Sequence, residues 1–442
     1  MKRERSFVLL ITLALLLSIF SNGHQNGAQK HSKHIKEKDH NSNSTHYDIR
    51  TFGAVGDGVS DDSEALIEAW KAACKVYGAT VEIPSGLNFL LRPVTLQGPC
   101  MPHLILQIDG TLLAPPSVAS WSKSSLFQWI NLKWVSDFTI QGNGTLDGQG
   151  SSWWSLSATP QSTNKETTSS PLEMRPTVLR FYASCNIMVR NIHIINSPLC
   201  HLKFDSSRGV KVSNIMISSP KDSPNTDGIH LQNTRDVEIK HSNIGCGDDC
   251  VSIQTGCANV NIHHLDCSPS HGISLGSLGK GSSLACVSNV SVNTITVQNA
   301  LSGVRIKTWQ GGKGSVKNAT FSNIRVSDVE IPIVIDQYYC NKRSCKNKTE
   351  AVAISDVTYK GITGTYTYKP LSIACSDSLP CTDLSLIDVQ LSPYYESRSH
   401  QEAFCWKSYG EAQGSLEPSG VSCLRKNSKV IRALTKSYKY TC

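Results

Sequence analysis

One phrase returns eight times between residues 186 and 391. It reads NIMVRNIHI from Asn186, GVKVSNIMI from Gly209, DVEIKHSNI from Asp236, NVNIHHLDC from Asn259, NVSVNTITV from Asn289, NATFSNIRV from Asn318, AVAISDVTY from Ala351 and DLSLIDVQL from Asp383. Successive copies start 23 to 33 residues apart. Each alternates apolar and polar residues, bends at a polar residue and alternates again, which is the pattern of short strands with one face turned inward. An earlier copy, DFTIQGNGT from Asp137, lies 49 residues before Asn186, about two units, with the Ser/Thr-rich loop 156–171 absorbing the slack. A unit this short cannot bury a core alone, so it has to stack on its neighbour. The arrangement that meets this demand is all-β: a parallel β-helix, in which each strand pairs with its counterpart one coil on. A β-sandwich is the competing arrangement, but it requires two-residue hairpin turns, and between these copies the only Asn-Gly or Asp-Gly is Asp227-Gly228.

The ends of the chain read differently. MKRERS followed by the largely apolar run Phe7–Phe20 and then SNG has the form of a secretory signal peptide, residues 1–23. The apolar run is 14 residues, short of the ~20 that span a bilayer. Residues 24–46 are polar and poor in apolar side chains, as a disordered tail or propeptide would be. The remainder, 47–442, reads as a single domain that opens with SDDSEALIEAW, a short N-terminal capping helix with Asp61 or Asp62 as its cap. No helical periodicity appears after residue 75. The chain has 16 cysteines, many locally spaced (Cys340/Cys345, Cys375/Cys381, Cys246/Cys250/Cys257/Cys267), which in a secreted protein suggests disulfides. Zinc is the rival use, but there is no CxxC pair and the histidines do not cluster with the cysteines. Five Asn-x-Ser/Thr acceptors, at Asn43, Asn143, Asn289, Asn318 and Asn347, fit the same extracellular route. The formal charge of +8 falls to about +6 once the signal segment's net +2 is removed. That is too mild and dispersed for a nucleic-acid binder, and it suits an anionic polymer. A monomer free of the membrane after signal removal is expected.

The coil period turns sequence spacing into neighbourhood. Asp227 in SPNTDGIH lies 21 and 22 residues before Asp248 and Asp249 in GCGDDCVSI, and His271 in SPSHGISLGS lies 22 after Asp249. Each segment runs from a charged residue through glycine or cysteine into an alternating strand, so all three should share one corner of consecutive coils, about 4.8 Å apart. GVRIKTWQGG follows 34 residues on, with Arg305 and Lys307 on the same outward side of its strand. Taken singly, such acids are usually solvated turn residues and such cations strand edges. In register, they make a groove of three carboxylates, an imidazole and two cations. Like charges raise one another's pKa, so one acid can hold a proton while its neighbours stay ionised, which is what glycosidic cleavage needs. Clustered acids could instead hold calcium, but Arg305 and Lys307 crowded against them would oppose a dication. Asn225 can donate to a sugar hydroxyl or hold a carboxylate in place.

These four blocks, in this order, resemble the polygalacturonases, pectin-degrading glycoside hydrolases with a right-handed parallel β-helix, and the similarity runs from about Tyr47 to the C-terminus. The resemblance implies inverting hydrolysis of α-1,4-linked galacturonate with no metal and no cofactor. By it Asp248 is the proton donor, Asp227 and Asp249 hold and activate the water, and His271 tunes the acid. Arg305 and Lys307 bind the substrate carboxylate, and Tyr339 in DQYYC corresponds to a binding tyrosine, with Tyr338 beside it. One rung of separation, ~4.8 Å, is nearer the spacing of retaining than of inverting enzymes, so the stereochemistry rests on the resemblance. Two departures stand out: Ser270 where the family has glycine before the histidine, and Cys246 between Gly245 and Gly247. Ser270 is harmless unless that position needs a positive φ. Related alternatives are a hydrolase of rhamnogalacturonan or xylogalacturonan, or a wall protein that binds pectin without turnover.

Overall fold

The computed structural model describes residues 45–121, 127–158, 175–340, 345, 347–395 and 401–426. The signal segment 1–23 and nearly all of 24–46 lie outside the described residues. The strands stack in three ladders, each coil contributing one strand to each, and the pairings are parallel throughout. The first ladder starts with His46–Asp48 on Thr80–Ile83 and ends with Cys381–Pro393 on Ser408–Glu417. The second starts with Asp57–Asp61 on Asn88–Leu90. The third runs from Val94–Gln97 through Leu202–Asp205, Ile229–Gln232, Val251–Ile253 and Ile273–Leu278. It continues through the ends of two long strands, Leu284–Trp309 and Lys313–Tyr339, to Leu371–Ala374 and Phe404–Trp406. The fold is the parallel β-helix that the repeat requires.

The recurring phrase has a backbone reason. Its first residue and the one five later are left-handed: Asn186 and Asn191, Asp236 and His241, Asn259 and His264, Asn289 and Thr294, Asn318 and Asn323, with φ between 49° and 60°. Asn and Asp visit this region at little cost, so they mark where the chain turns from one ladder to the next. Their side chains also stack. Asn259 donates to Asp236 (2.7 Å), Asn289 to Asn259 (3.0 Å) and Asn318 to Asn289 (2.8 Å), a run of hydrogen bonds along the helix axis. The phrase read from Ala351 sits out of register. Lys317 pairs with Ser355, so Asp356 (φ 56°) is the counterpart of Asn318. Alternation there extends upstream of the strand, and the left-handed residue, not the alternation, fixes the register.

Inside, like residues stack on like. Ile229, Val251, Ile273, Val304, Ile333 and Leu371 occupy successive rungs of the third ladder, all fully buried. Burying each such side chain contributes about 1.5–3 kcal/mol. Phe181 stacks on Phe204 at 5.0 Å and Phe321 on Tyr359 at 5.2 Å. The N-terminal end is covered by the helix Ser63–Ala73, which buries Leu66, Ala69, Trp70 and Ala73, with Trp70 donating to the Gln97 carbonyl at 3.1 Å. Of the two expected caps, Asp61 accepts from Ser63 N (3.1 Å), whereas Asp62 turns back to accept from Val55 N (2.7 Å). A second helix, Ser151–Ala158, was not foreseen, because SSWWSLSA lacks an apolar stripe. Tertiary contacts hold it: Trp153 is buried against Trp121, and Trp154 donates to the Ser197 carbonyl at 3.1 Å. Among the described residues the locally spaced cysteines pair as Cys340–Cys345, Cys375–Cys381 and Cys250–Cys267, while Cys246 and Cys257 remain thiols. No helix among the described residues is long and apolar enough to cross a membrane.

Candidate active site

The third ladder places the acids. Ile229, Val251, Ile273 and Val304 are register partners, so Asp227, Asp249 and His271 stand two residues ahead of the same rung position on three consecutive coils. Asp248 is held beside them: His271 N donates to its carbonyl at 2.7 Å. Two glycines make the close approach possible. A Cβ on Gly247 would lie 1.9 Å from the Ser223 carbonyl oxygen, and Gly272, at φ 81°, would put one 2.1 Å from that of Ser302. The disulfide Cys250–Cys267 ties down the residue that follows Asp249.

The three carboxylates have three different surroundings. Asp249 is almost wholly buried and accepts from Arg305 (2.6 Å), Lys307 (3.0 Å) and the Ser274 hydroxyl (2.7 Å). Asp248 accepts from Asn225 (3.1 Å) and from Asp249 N (2.9 Å), and its Oδ1 lies 3.0 Å from His271 Nδ1. Burial pushes its carboxyl upward. The His271 hydrogen bond and the charges of His271, Lys307 and Arg305 together outweigh that and hold it at about 2. Among the described residues, Asp227 has only His230 on its carboxylate, at 2.9 Å. Burial first, then the charges of Asp248 and Asp249, push Asp227 well above the usual carboxylate range. Burial also lowers His230 to about 3, so its ring is neutral. Asp227 and Asp248 are thus pushed in opposite directions. The carboxyl pushed upward is Asp227, however, and not Asp248.

A cleft of about 320 Å³ lies over these groups, and Asn225, Asp227, Asp248, Asp249, Lys307 and Tyr339 line it. Tyr339, not Tyr338, faces the cleft, with Lys307 Nζ 5.6 Å from its ring centre, while the Tyr338 hydroxyl donates to Asp377. His271 lies behind Asp248 and lines a second hollow of about 220 Å³. Arg305 is not a free cation waiting in the cleft. Its side chain is 12% exposed, and it donates to Asp249 and Ser274. Alternation placed both cations on the correct face but could not show that a carboxylate of the same protein already occupies them. The departures resolve simply. Ser270 is buried outside the left-handed region and accepts from Gly272 N at 3.0 Å; the glycine that the turn requires is Gly272. Cys246 is a buried thiol, with Sγ 3.3 Å from the Asp248 carbonyl oxygen, and burial raises its pKa. Asp248, Asp249 and His271 each present a ligand atom within 4.8 Å of one another, but Arg305 and Lys307 already neutralise Asp249, which disfavours a dication there.

Sequence reasoning passed over three residues of this site. His230 and Ser274 occupy the outward position of GIHLQ and GISLG, in register with Ser252 and Arg305. That shared offset was the available signal. Arg175, which donates to Asn225 Oδ1 at 2.8 Å and so orients the amide on Asp248, comes from 50 residues upstream and had no local signal.

The chain resembles known proteins along most of its length. It is 38% identical over 392 residues to a probable polygalacturonase of Arabidopsis thaliana, covering 88% of this chain and 86% of that one. It is 41% identical to a polygalacturonase of Chamaecyparis obtusa over 78% of this chain and 67% of the other. Among solved structures, an endo-xylogalacturonan hydrolase from Aspergillus tubingensis matches with a TM-score of 0.69 at 25% identity, covering 80% of this chain and 94% of that one. A family model described as glycosyl hydrolases family 28 matches residues 74–405. With carboxylates of unequal character gathered on one wall of a parallel β-helix, this chain belongs to glycosyl hydrolase family 28.

Proposed function

We propose that this chain is a secreted polygalacturonase that hydrolyses α-1,4-galacturonosidic bonds of demethylated pectin with inversion. The observation that carries the reading is the division of labour in the cleft. Asp248 shares a hydrogen bond with His271, Asp249 is saturated by cations and a hydroxyl, and Asp227 is left away from the cations' hydrogen bonds with its pKa raised by burial. A uronate entering the cleft brings a negative charge and competes with Asp249 for Lys307. Both effects raise the pKa of Asp248, so a proton on His271 passes across the 3.0 Å contact to Asp248. Asp248 then gives it to the glycosidic oxygen as the C1–O bond breaks and the leaving sugar keeps the bonding electrons. Water attacks C1 from the opposite side and loses its proton to Asp227, which takes part in turnover in its ionised form, above its raised pKa. Burial makes Asp227 the stronger base, and Asp249 orients the water.

The undistorted turn around Ser270 and Gly272 keeps His271 on Asp248, which favours turnover over binding alone. The domain is taken as 47–442, preceded by a signal peptide 1–23 and a tail 24–46, and the substrate is the wall polysaccharide itself. The test is release of reducing ends from polygalacturonate. Release that is lost in Asp248→Asn, with binding retained, is the expected result. No release by the wild type overturns the proposal.

A further inference from the structure

Beyond the cleft, the outward face of the third ladder continues toward the C-terminus, and there it carries aromatic side chains. Lys307 pairs in register with Asp336, Asp336 with Ala374, and Ala374 with Trp406. Two residues earlier, and so on the same face, Arg305, Val334, Ser372 and Phe404 follow one another in the same way. Phe404 and Trp406 therefore stand on the same face as the site cations, three rungs away, or ~14 Å at ~4.8 Å per rung. They are 44% and 39% exposed. Trp406 is not loose. Its Nε1 donates to Asp377 Oδ1 at 3.1 Å, and the other oxygen of that carboxylate accepts from the Tyr338 hydroxyl at 3.0 Å. Both rings carry an ammonium nearby: Lys407 Nζ is 5.7 Å from the Trp406 ring centre, and Lys369 Nζ is 6.0 Å from that of Phe404. The pairing of lysine and ring repeats what Lys307 and Tyr339 do inside the cleft.

We infer that Phe404 and Trp406, with Lys369 and Lys407, form a distal platform that binds a polyuronate chain where it leaves the cleft. This rests on the functional reading given above. A pyranose ring has an apolar C–H face that packs on an aromatic ring, and a uronic acid adds a carboxylate that a lysine beside the ring can meet. A neutral polysaccharide would use the rings and have no need of the ammoniums. The match is to a charged sugar polymer, and because a pyranose is about one rung long, only a chain of several residues reaches from Lys307 to Trp406. Asp336, which lies between, is mostly buried, and its carboxylate accepts from Tyr338 N at 2.8 Å.

The test compares galacturonate trimer with polygalacturonate. Trp406→Ala is expected to raise KM for the polymer about five- to tenfold, the order of a lost aromatic packing contact, with less than twofold change for the trimer. Trp406→Phe should restore most of the loss, and unchanged melting of both variants excludes a folding effect. Equal KM changes on trimer and polymer, or none on either, overturn the platform while leaving the functional reading intact. A wild-type enzyme that cleaves neither substrate overturns the functional reading and the platform with it.

Discussion

Asp249 offers the sharpest stability test, because it lines the cleft and is the counter-ion of two nearly buried cations. Asp249 is 3% exposed at its side chain, with Lys307 at 7% and Arg305 at 12%. Removing one partner of a buried pair leaves an uncompensated charge and costs about 3–5 kcal/mol. Asp249→Asn keeps the shape and the acceptor oxygen but removes the charge, so its loss should fall in that range. For the ~400 residues from Thr45 onward, unfolding entropy is about 0.8 kcal/mol/K, which converts the loss to a fall in Tm of about 4–6 °C. Lys307→Met alone should also destabilise, since it leaves Asp249 with Arg305 as its sole cation among the described residues. In the double variant the two defects partly cancel, because neither buried charge that was removed is missed by the other. Differential scanning calorimetry on the four proteins gives the cycle, with an expected coupling of more than about 1.5 kcal/mol. Additive losses, or an Asp249→Asn protein that melts within 1 °C of the wild type, would refute the cation-saturated Asp249 described above.

Three further outcomes follow from the same geometry. Asp227 has a folded-state pKa raised above its unfolded value, so the stability it contributes is present below about pH 4 and is lost as pH rises toward its folded pKa. Asp227→Asn should therefore abolish turnover yet melt above the wild type at neutral pH, the two converging in acid; a lower Tm at pH 7 would contradict this. Asp248 acts with the opposite sign, its contribution present above about pH 4 and lost as pH falls toward about 2. His271→Gln should cut kcat about a hundredfold or more with little change in KM, since the proton supply and not the substrate contact is lost; a selective rise in KM would move His271 into binding. At the bend ladder, Asn289→Ala should cost about 1–2 kcal/mol, losing the bonds to Asn259 and Asn318 and straining the left-handed backbone, while Asn289→Gly should cost less. Urea unfolding that gave the reverse order would remove the strain argument.

Most of what positions the site could be read from the chain because a solenoid converts spacing into contact. The 21- and 22-residue intervals among Asp227, Asp248, Asp249 and His271 become adjacent rungs, and the registered pairs Ile229, Val251 and Ile273 fix them there. What a residue bonds to was less legible. Period-two alternation tells which face Arg305 and Lys307 occupy, but their partner Asp249 lies 56 and 58 residues away. Arg175, reaching Asn225 across two coils, is hidden for the same reason. The copy at Ala351 was read five residues early, since apolar alternation runs past the strand's end and only Asp356 marks the turn. The helix Ser151–Ala158 escaped because two tryptophans, not a repeating stripe, anchor it.

The proposed inversion needs an acid at Asp248 and a water-activating base on the opposite side of the bond at Asp227. Proton NMR of the first sugar ends released from an α-linked galacturonan examines that arrangement without intermediaries. With that arrangement the β-anomer appears first and relaxes to the mixture afterwards. Initial release of the α-anomer would mean that a carboxylate attacks the sugar directly, and the roles given to Asp227 and Asp249 would be wrong.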